Sequence, residues 1–407
     1  MWVEADMNLP SGESLVRQIV FGQRYFEEKF GRRCTEVWIP DVFGYPAGLP
    51  QVFAAGGMDR FVTQKLSWNK QNRFPHNTFW WEGLDGSRVL THFPPVDTYN
   101  AEITPAEFAF SVTNFQDHGW SADSLMPFGH GDGGGGPTRE MVERARRLAR
   151  LDSRATLEIG TPAAMFERIE RDADRGAAVP VWRGELYFEM HRGTLTSQLK
   201  TKLGNRRCER LLVEAELWAA TLGRSADVDE LWKRTLTQQF HDILPGSSIA
   251  WVHQDAERIL GEVEVELEGR IAGFLAELAG ATTSVANRGD VAVDEVVALD
   301  LGDTELDGPV QRLADGTTAL RLSVPAMGVT PVEALALDDR VVLSDTSMTN
   351  GHLAVRWDAH GNITSIIDIA GAREIVPDGK FAAALELAVD HPVEYDAWDV
   401  ESWTVDS

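Results

Sequence analysis

Cysteine is nearly absent. The 407 residues hold two, Cys34 and Cys208, far apart and in unlike surroundings. Such a pair makes neither a disulfide framework nor a thiolate zinc site, and it suits a reducing compartment, so a cytoplasmic location is expected. Long apolar runs are missing too. No stretch has the length of a membrane helix, and the expectation is a soluble chain with no membrane partner. The opening MWVEADMNLPSGES carries Glu4 and Asp6 early and lacks the basic, apolar, small-residue succession of a signal peptide. Basic residues are scarce: 38 Lys and Arg face 63 Asp and Glu, for a net charge of -25. That balance repels polyanions and argues against a nucleic-acid partner bound through its phosphates. There is no internal repeat and no low-complexity segment.

What is abundant is apolar residues, 43% of the chain, and tryptophan, with thirteen. Tryptophans mostly pack cores, and their flat apolar rings are also what the face of a sugar rests against. Along the chain, Ser11 can cap a helix whose apolar positions Leu15, Ile19, Phe26 and Phe30 keep helical spacing until Gly31. A strand over 35–40, a helix over 47–55 and a strand over 60–63 follow, then NTFWWEG and SRVLTHF as a hairpin. Residues 124–128 read as a strand, HGDGGGG as a loop, and PTREMVERARRLARL as a helix with Pro137 near its first turn. This alternation over residues 1 to about 175 predicts α/β layers around a largely parallel sheet. Residues 205–278 carry helical pattern: one run over 208–222, another over 228–244, a break at Pro245-Gly246, and a third from Ile249. Beyond residue 281 the Val, Thr, Asp and Gly-rich turns of VALDLGDTELDG and LAVRWDAHGNITSIID read as β-sandwich sequence.

Polar groups recur where strands stop. Asp41 follows VWIP, Gln64 and Lys65 follow RFVT, and His130 and Asp132 follow LMPFG. Ligands of open α/β sheets bind outside the carboxyl ends of the strands, so these groups are expected to converge on one crevice. Taken alone, a strand-ending aspartate such as Asp41 is more often a turn former or a helix cap. The loop Gly131–Pro137 lacks the Gly-Lys-Ser/Thr ending of a phosphate loop and the GxGxxG form, while its glycines allow close approach of backbone to a bulky ligand. Asp132 within it is either a structural acceptor or a catalytic acid. In QQFHDILPGSS, His241 and Asp242 close a helix, where a lone histidine is commonly a dipole partner. WRGELYFEMHRGTLTSQ places Glu185, Glu189, His191 and Arg192 either in an inter-domain ion network or along a cleft.

Together, WVEADMNLPSGESLVRQ, WIPDVFGYPAGLPQ, GHGDGGGGPT, GELYFEMHRGTLTSQ and FHDILPGSS, in that order, resemble glycoside hydrolase family 38, the class II α-mannosidases, in their cytosolic or bacterial branch. The tail, with NGHLAVRWDAHGNITSIIDIAGAREIV and DAWD, is similar to the opening of that family's large β domain. The fold the resemblance implies is multidomain, α/β + α + β. An incomplete (β/α) barrel-like catalytic domain spans 1–180, a three-helix bundle with the His-Asp pair 181–280, a small β domain 281–340, and the start of a β-sandwich domain 341–407. It implies one zinc ion per site, other divalent ions being possible, held by a His and an Asp of an early H-x-D motif, by the nucleophile and by a later His. Asp41 then matches the nucleophile and metal ligand, and His241 the later ligand. Asp242 matches a residue that binds sugar hydroxyls, Lys65 a basic residue beside the nucleophile, and Asp132 the candidate general acid and base. His130, Glu185 and His191 join them as candidate substrate contacts.

No H-x-D motif lies upstream of Asp41. The resemblance therefore implies a start inside the family's domain, with two of four metal ligands outside these residues and little activity from this stretch alone. The expected chemistry is hydrolysis of terminal α-linked mannose from oligosaccharides or glycans with net retention, one carboxylate as nucleophile and the other as acid and base. Zinc-bound carboxylate stays ionised, and Asp and His ligands without thiolate suit a zinc that keeps positions open for substrate. Two other readings remain: a noncatalytic carbohydrate-binding remnant using the same cleft, and a nucleotide-dependent enzyme built on the glycine loop. Linkage specificity and oligomeric state, a homo-oligomer of the parent included, are open.

Overall fold

The structure is a computed structural model, and it describes residues 1–132, 134–151, 155–280, 282–302, 306–336, 341–385 and 387–401. The chain divides into two compact units. One holds Met1–Glu216, Ala226–Gly269 and residues 391–401; the other holds Leu217–Ser225 and Arg270–Asp390.

In the first unit, Ser11 accepts the Ser14 N–H and starts helix α1 (Gly12–Phe30), and Gly31 ends it in a left-handed turn at φ 68, its N–H bonded to the Glu27 carbonyl. Then come β1 (Glu36–Trp38), α2 (Leu49–Ala55), β2 (Arg60–Val62), β3 (Thr78–Glu82), β4 (Arg88–His92), α3 (Pro105–Asn114), α4 (Arg139–Leu148), α5 (Pro162–Asp174) and β5 (Val181–Arg183). The strands form one sheet in the order β1-β2-β4-β3-β5. Pairs β1/β2, β2/β4 and β3/β5 are parallel, and β3/β4 is the antiparallel hairpin that the sequence announces. The sheet is thus mixed and open, with β1 and β5 at its ends; the pairing needed to close a barrel is not made among the described residues.

Strand alternation buries both faces. Phe61 and Val89 join Leu15, Ile19, Leu49 and Phe53 from α1 and α2. Their neighbours Val62 and Leu90 point the other way, onto Met165, Phe166 and Ile169 of α5. Fully burying each such side chain stabilises by about 1.5–3 kcal/mol. Arg60 adds a two-pronged bond to Glu170 of α5, at 2.8 Å on each arm.

Residues 124–128 form no strand. Pro127 has no N–H to give a ladder, and the segment keeps a single bridge, Ala101 to Phe128. Helices α3 and α5 go beyond the periodicity reading, yet both start at a capping threonine followed by proline, Thr104-Pro105 and Thr161-Pro162.

Helices α6 (Leu199–Thr221), α7 (Asp229–Thr237) and α8 (Ala250–Ala279) supply the helical middle. Arg207 and Cys208 of α6 meet Glu264 and the Leu260 carbonyl of α8, and Trp232 of α7 donates to Glu216 of α6. The expected border near residue 180 is not a gap in packing. Buried Glu209 of α6 accepts from the Ser11 N–H and the Ser14 hydroxyl of α1, each at 2.7 Å, and from Gln239 after α7. The start of α1 and the middle helices therefore share one polar knot.

In the second unit, strands Val293–Leu299, Thr318–Val324 and Val310–Arg312 form an antiparallel sheet over a core of Leu301, Leu320, Leu322 and Val324. Gly328–Pro331 pairs with Ser284–Asn287. Five strands between Val342 and Glu374 follow as an antiparallel meander in chain order. The region is all β, as its sequence indicates. The segment 391–401, expected within the last β domain, instead belongs to the first unit.

Candidate active site

Three neighbouring parallel strands end on the same edge of the sheet, and each hands a polar group to it. Past β1 and β2 the backbones stay paired, with Ile39 N–H bonded to the Val62 carbonyl and Gln64 N–H to the Pro40 carbonyl. This register sets Asp41 beside Lys65. Lys65 Nζ lies 2.6 Å from Asp41 Oδ1, and the Tyr99 hydroxyl, from the loop after β4, donates to the same oxygen at 3.1 Å. The buried Tyr45 hydroxyl donates to the Ile39 carbonyl and also meets Thr63, which locks the two strand ends together.

The other carboxylate oxygen faces the helical region: His241 Nε2 is 3.3 Å from Asp41 Oδ2. His241 is anchored from behind by the Glu4 carbonyl, which accepts from its backbone N–H at 3.1 Å and lies 2.9 Å from Nδ1. That contact makes Nδ1 an N–H donor, so Nε2 is the nitrogen turned to Asp41: it donates to the carboxylate when the ring is protonated and offers a lone pair when the ring is neutral. Asp242 Oδ2 stands 3.9 Å from the same Nε2, while its Oδ1 accepts from the Ser247 hydroxyl. Lys202 clamps the following turn by donating to the Leu244 and Pro245 carbonyls, each at 3.0 Å, and burial pushes its pKa down to about 8.

Burial alone would raise the Asp41 carboxyl. The hydrogen bond from His241 and the charge of Lys65 outweigh it, so the group is held below its ordinary value and stays ionised. Burial likewise opposes a charge on His241, and the bond to Asp41 and the Glu4 carbonyl outweigh it, raising the imidazole. The Tyr99 phenol goes well up, by burial first and the Asp41 charge second, and stays a donor.

Asp41, Lys65, Tyr99 and Asp242 line a cavity of about 320 Å³, which also receives Asp132, His191, Trp68 and Trp398. Of the residues singled out in the sequence, Asp41, Lys65, Asp132, His191 and Asp242 face this cavity, and His241 stands directly behind Asp41. Asp132 takes a left-handed backbone at φ 51 to do so. His130 and Glu185 do not reach it. His130 is exposed and tied by backbone to Gly136, and Glu185 is exposed, its carbonyl accepting from the Trp182 indole. Glu189 serves another purpose, holding the backbone of Gln71 and Asn72. Tyr99, Trp68, Tyr395, Trp398 and Asp399 were outside the sequence reading. Their one legible trace was the aromatic and acidic DAWD string.

As a metal site the arrangement is half fitted. A carboxylate oxygen and an imidazole nitrogen facing each other are donors that a zinc ion takes once the ring has given up its Nε2 proton, two corners of a tetrahedron. Among the described residues no group of three or more His, Cys, Asp or Glu has metal-holding geometry.

Comparison with known proteins gives this constellation a lineage. Residues 1–185 match the glycosyl hydrolases family 38 N-terminal domain, and residues 189–278 the alpha mannosidase middle domain. The human Alpha-mannosidase 2C1 is 38% identical over 426 residues, across 100% of this chain and 40% of its own length. An Alpha-mannosidase of Saccharomyces cerevisiae is 43% identical over 268 residues, 62% of this chain and 25% of its own. The crystal structure of an alpha-mannosidase from Enterococcus faecalis V583 shares the fold over 91% of this chain and 51% of its own, with a TM-score of 0.68 at 16% identity. The chain thus spans about 40% of the curated relatives that it matches along its whole length. With two consecutive family domains matched in order, and with the polar strand ends gathered on one carboxylate, the chain belongs to glycosyl hydrolase family 38.

Proposed function

We propose that this chain carries the nucleophile and much of the sugar site of a retaining α-mannosidase, which removes terminal α-linked mannose from oligosaccharides or glycans. The observation that carries the reading is Asp41 itself. An ionised carboxylate is held by Lys65, Tyr99 and His241 at the mouth of a cavity that also receives a second carboxylate, Asp132. In the first step Asp41 forms a bond to the anomeric carbon as the glycosidic bond breaks, and Asp132 gives its proton to the leaving oxygen. In the second, Asp132 takes a proton from water, the water oxygen bonds to the anomeric carbon, and the ester to Asp41 breaks.

Asp41 and His241 would hold the zinc ion, whose contribution is Lewis-acid anchoring of the sugar's 2- and 3-hydroxyls and easier distortion of the ring. Asp242 is placed to accept from a sugar hydroxyl, and Lys65 offsets the charge of Asp41 while the substrate is absent. The setting proposed is cytoplasmic, supported by two free cysteines, one of them buried with its thiol pushed up to about 12. No described helix is long and apolar enough to cross a membrane.

The test is turnover of an aryl α-mannoside by the protein and by Asp41→Asn, with and without chelator. Turnover that needs Asp41 and returns on adding zinc supports the reading; turnover indifferent to Asp41→Asn overturns it. One alternative is a metal-free carbohydrate-binding module, favoured by the partners that Asp41 already has in Lys65 and Tyr99. That alternative requires sugar binding which survives Asp41→Ala and ignores zinc.

A further inference from the structure

The segment 391–401 lies far along the sequence from the rest of the first unit, yet it closes one side of the cavity. Its aromatic rings stack on each other, Tyr395 on Trp398 at 5.4 Å and 22°. Trp398 also lies 4.6 Å from the ring of His191 and 6.0 Å from Phe43, with Lys65 Nζ 5.9 Å from its centroid. The indole Nε1–H is buried with no hydrogen-bond partner. A structural tryptophan would ordinarily satisfy that donor, since leaving it unmet costs about 1–3 kcal/mol.

One residue further, Asp399 Oδ1 accepts the backbone N–H of His191 and lies 3.1 Å from its ring Nδ1. His191 is itself in a left-handed conformation, φ 61, which a residue with a Cβ adopts only when its surroundings impose it. The approach is made possible by glycine. A Cβ added at Gly193 would come 2.8 Å from the Trp398 carbonyl oxygen and 3.2 Å from its carbon.

We propose that this segment is a working wall of the sugar site: Trp398 is the platform for the apolar face of the mannose ring, and Asp399 is a positioning residue that fixes His191 with Nε2 free to meet a sugar hydroxyl. The inference rests on the mannosidase reading above. It goes further in making ligand selection depend on a residue 208 positions away from the histidine it orients. Burial favours the neutral imidazole, which the Asp399 contact holds as the Nδ1–H tautomer. Such a ring offers an acceptor at Nε2, and an acceptor discriminates between epimers because each presents its hydroxyl in a different direction.

The test is binding of methyl α-mannoside and methyl α-glucoside to the 407-residue chain by calorimetry, together with the nitrogen-15 signals of the His191 ring. Trp398→Ala is expected to weaken mannoside binding about tenfold and Trp398→Phe no more than about threefold, because phenyl keeps a stacking face. Asp399→Asn is expected to lower the preference for mannoside over glucoside and to move the His191 signals away from the Nδ1–H pattern. If the chain binds mannoside and neither Trp398→Ala nor Asp399→Asn changes affinity or preference, the inference falls while the functional reading stands. Loss of thermal stability with affinity and preference unchanged overturns it equally, since that is a structural role. If the chain binds neither glycoside, the functional reading falls for this chain and the inference goes with it.

Discussion

Lys65 and Asp41 leave adjacent parallel strands and meet at 2.6 Å, the lysine almost wholly buried and the aspartate partly open to the cavity. Trp68 and Phe43 cover the ammonium at 4.5 and 5.3 Å. The pair therefore has water on one side only, the side from which a sugar would arrive. A cation so placed keeps the carboxylate charged without occupying its second oxygen, which His241 faces.

Lys65→Met is expected to raise the Asp41 pKa, because one of the two influences that overcome burial is removed. Carbon-13 titration of the carboxyl reads this directly, and an unmoved midpoint would remove Lys65 from the electrostatics of the site. Stability should fall by about 1–3 kcal/mol as a buried hydrogen-bonded charge loses its partner.

Asp132→Asn tests the acid. Against a mannoside with a poor leaving group, the loss is expected to be about 10²- to 10⁴-fold, the usual contribution of general acid catalysis. Against a dinitrophenyl mannoside, whose leaving group departs without a proton, the first step should be nearly unaffected. Equal losses on both substrates would mean that Asp132 does something other than protonate the leaving oxygen.

Acid should unfold the first unit through His92. This ring is fully buried, with Nε2 accepting the Leu125 N–H at 3.0 Å and Nδ1 bonded to Thr78 at 2.9 Å, so protonation at Nε2 breaks a bond. Burial pushes its pKa from 6.5 down to about 3. Between those values the unfolded chain binds a proton that the native ring refuses. Stability is therefore full above pH 6.5 and drops by about 1.4 kcal/mol per pH unit from this group until about pH 3. Urea unfolding at stepped pH measures the slope, and His92→Gln should flatten that part of it.

Glu209→Ala should destabilise by about 3 kcal/mol, since it strips buried partners from Ser14 and Gln239 together with the Ser11 N–H. Gln239 stands two residues before His241, and its carbonyl accepts the Asp6 N–H beside the Glu4–His241 contact, so sugar affinity should fall as well. Calorimetric melting and glycoside binding check the two effects separately.

Much of this was legible along the chain. The helix from Ser11 to Gly31, the hairpin at Leu84-Asp85-Gly86, and the all-β character beyond residue 281 follow from caps, turns and period-two alternation, each set by a few neighbouring residues. Asp41 and Lys65 could be suspected because parallel strands deliver their ends to one edge whatever else the fold does, whereas Asp132 was suspected from a strand end that does not form. The strand expected at 124–128 failed because an apolar stretch interrupted by Pro127 has no ladder to join. His130 was suspected as the end of a strand that does not form, and Glu185 as one of the charged groups in the run Trp182–Gln198; both are exposed to solvent.

Sequence alone set the class of most segments and the short-range motifs, because capping, alternation and turn formation are decided within about ten residues. Which carboxylate is gripped, and by what, was decided by packing at long range. Tyr99 reaches Asp41 across 58 residues, Glu4 steadies His241 across 237, and Asp399 holds His191 across 208. No local pattern encodes those meetings. They depend on how buried strands and helices exclude water from one edge of a sheet, where each polar group must then find its partner in another part of the chain.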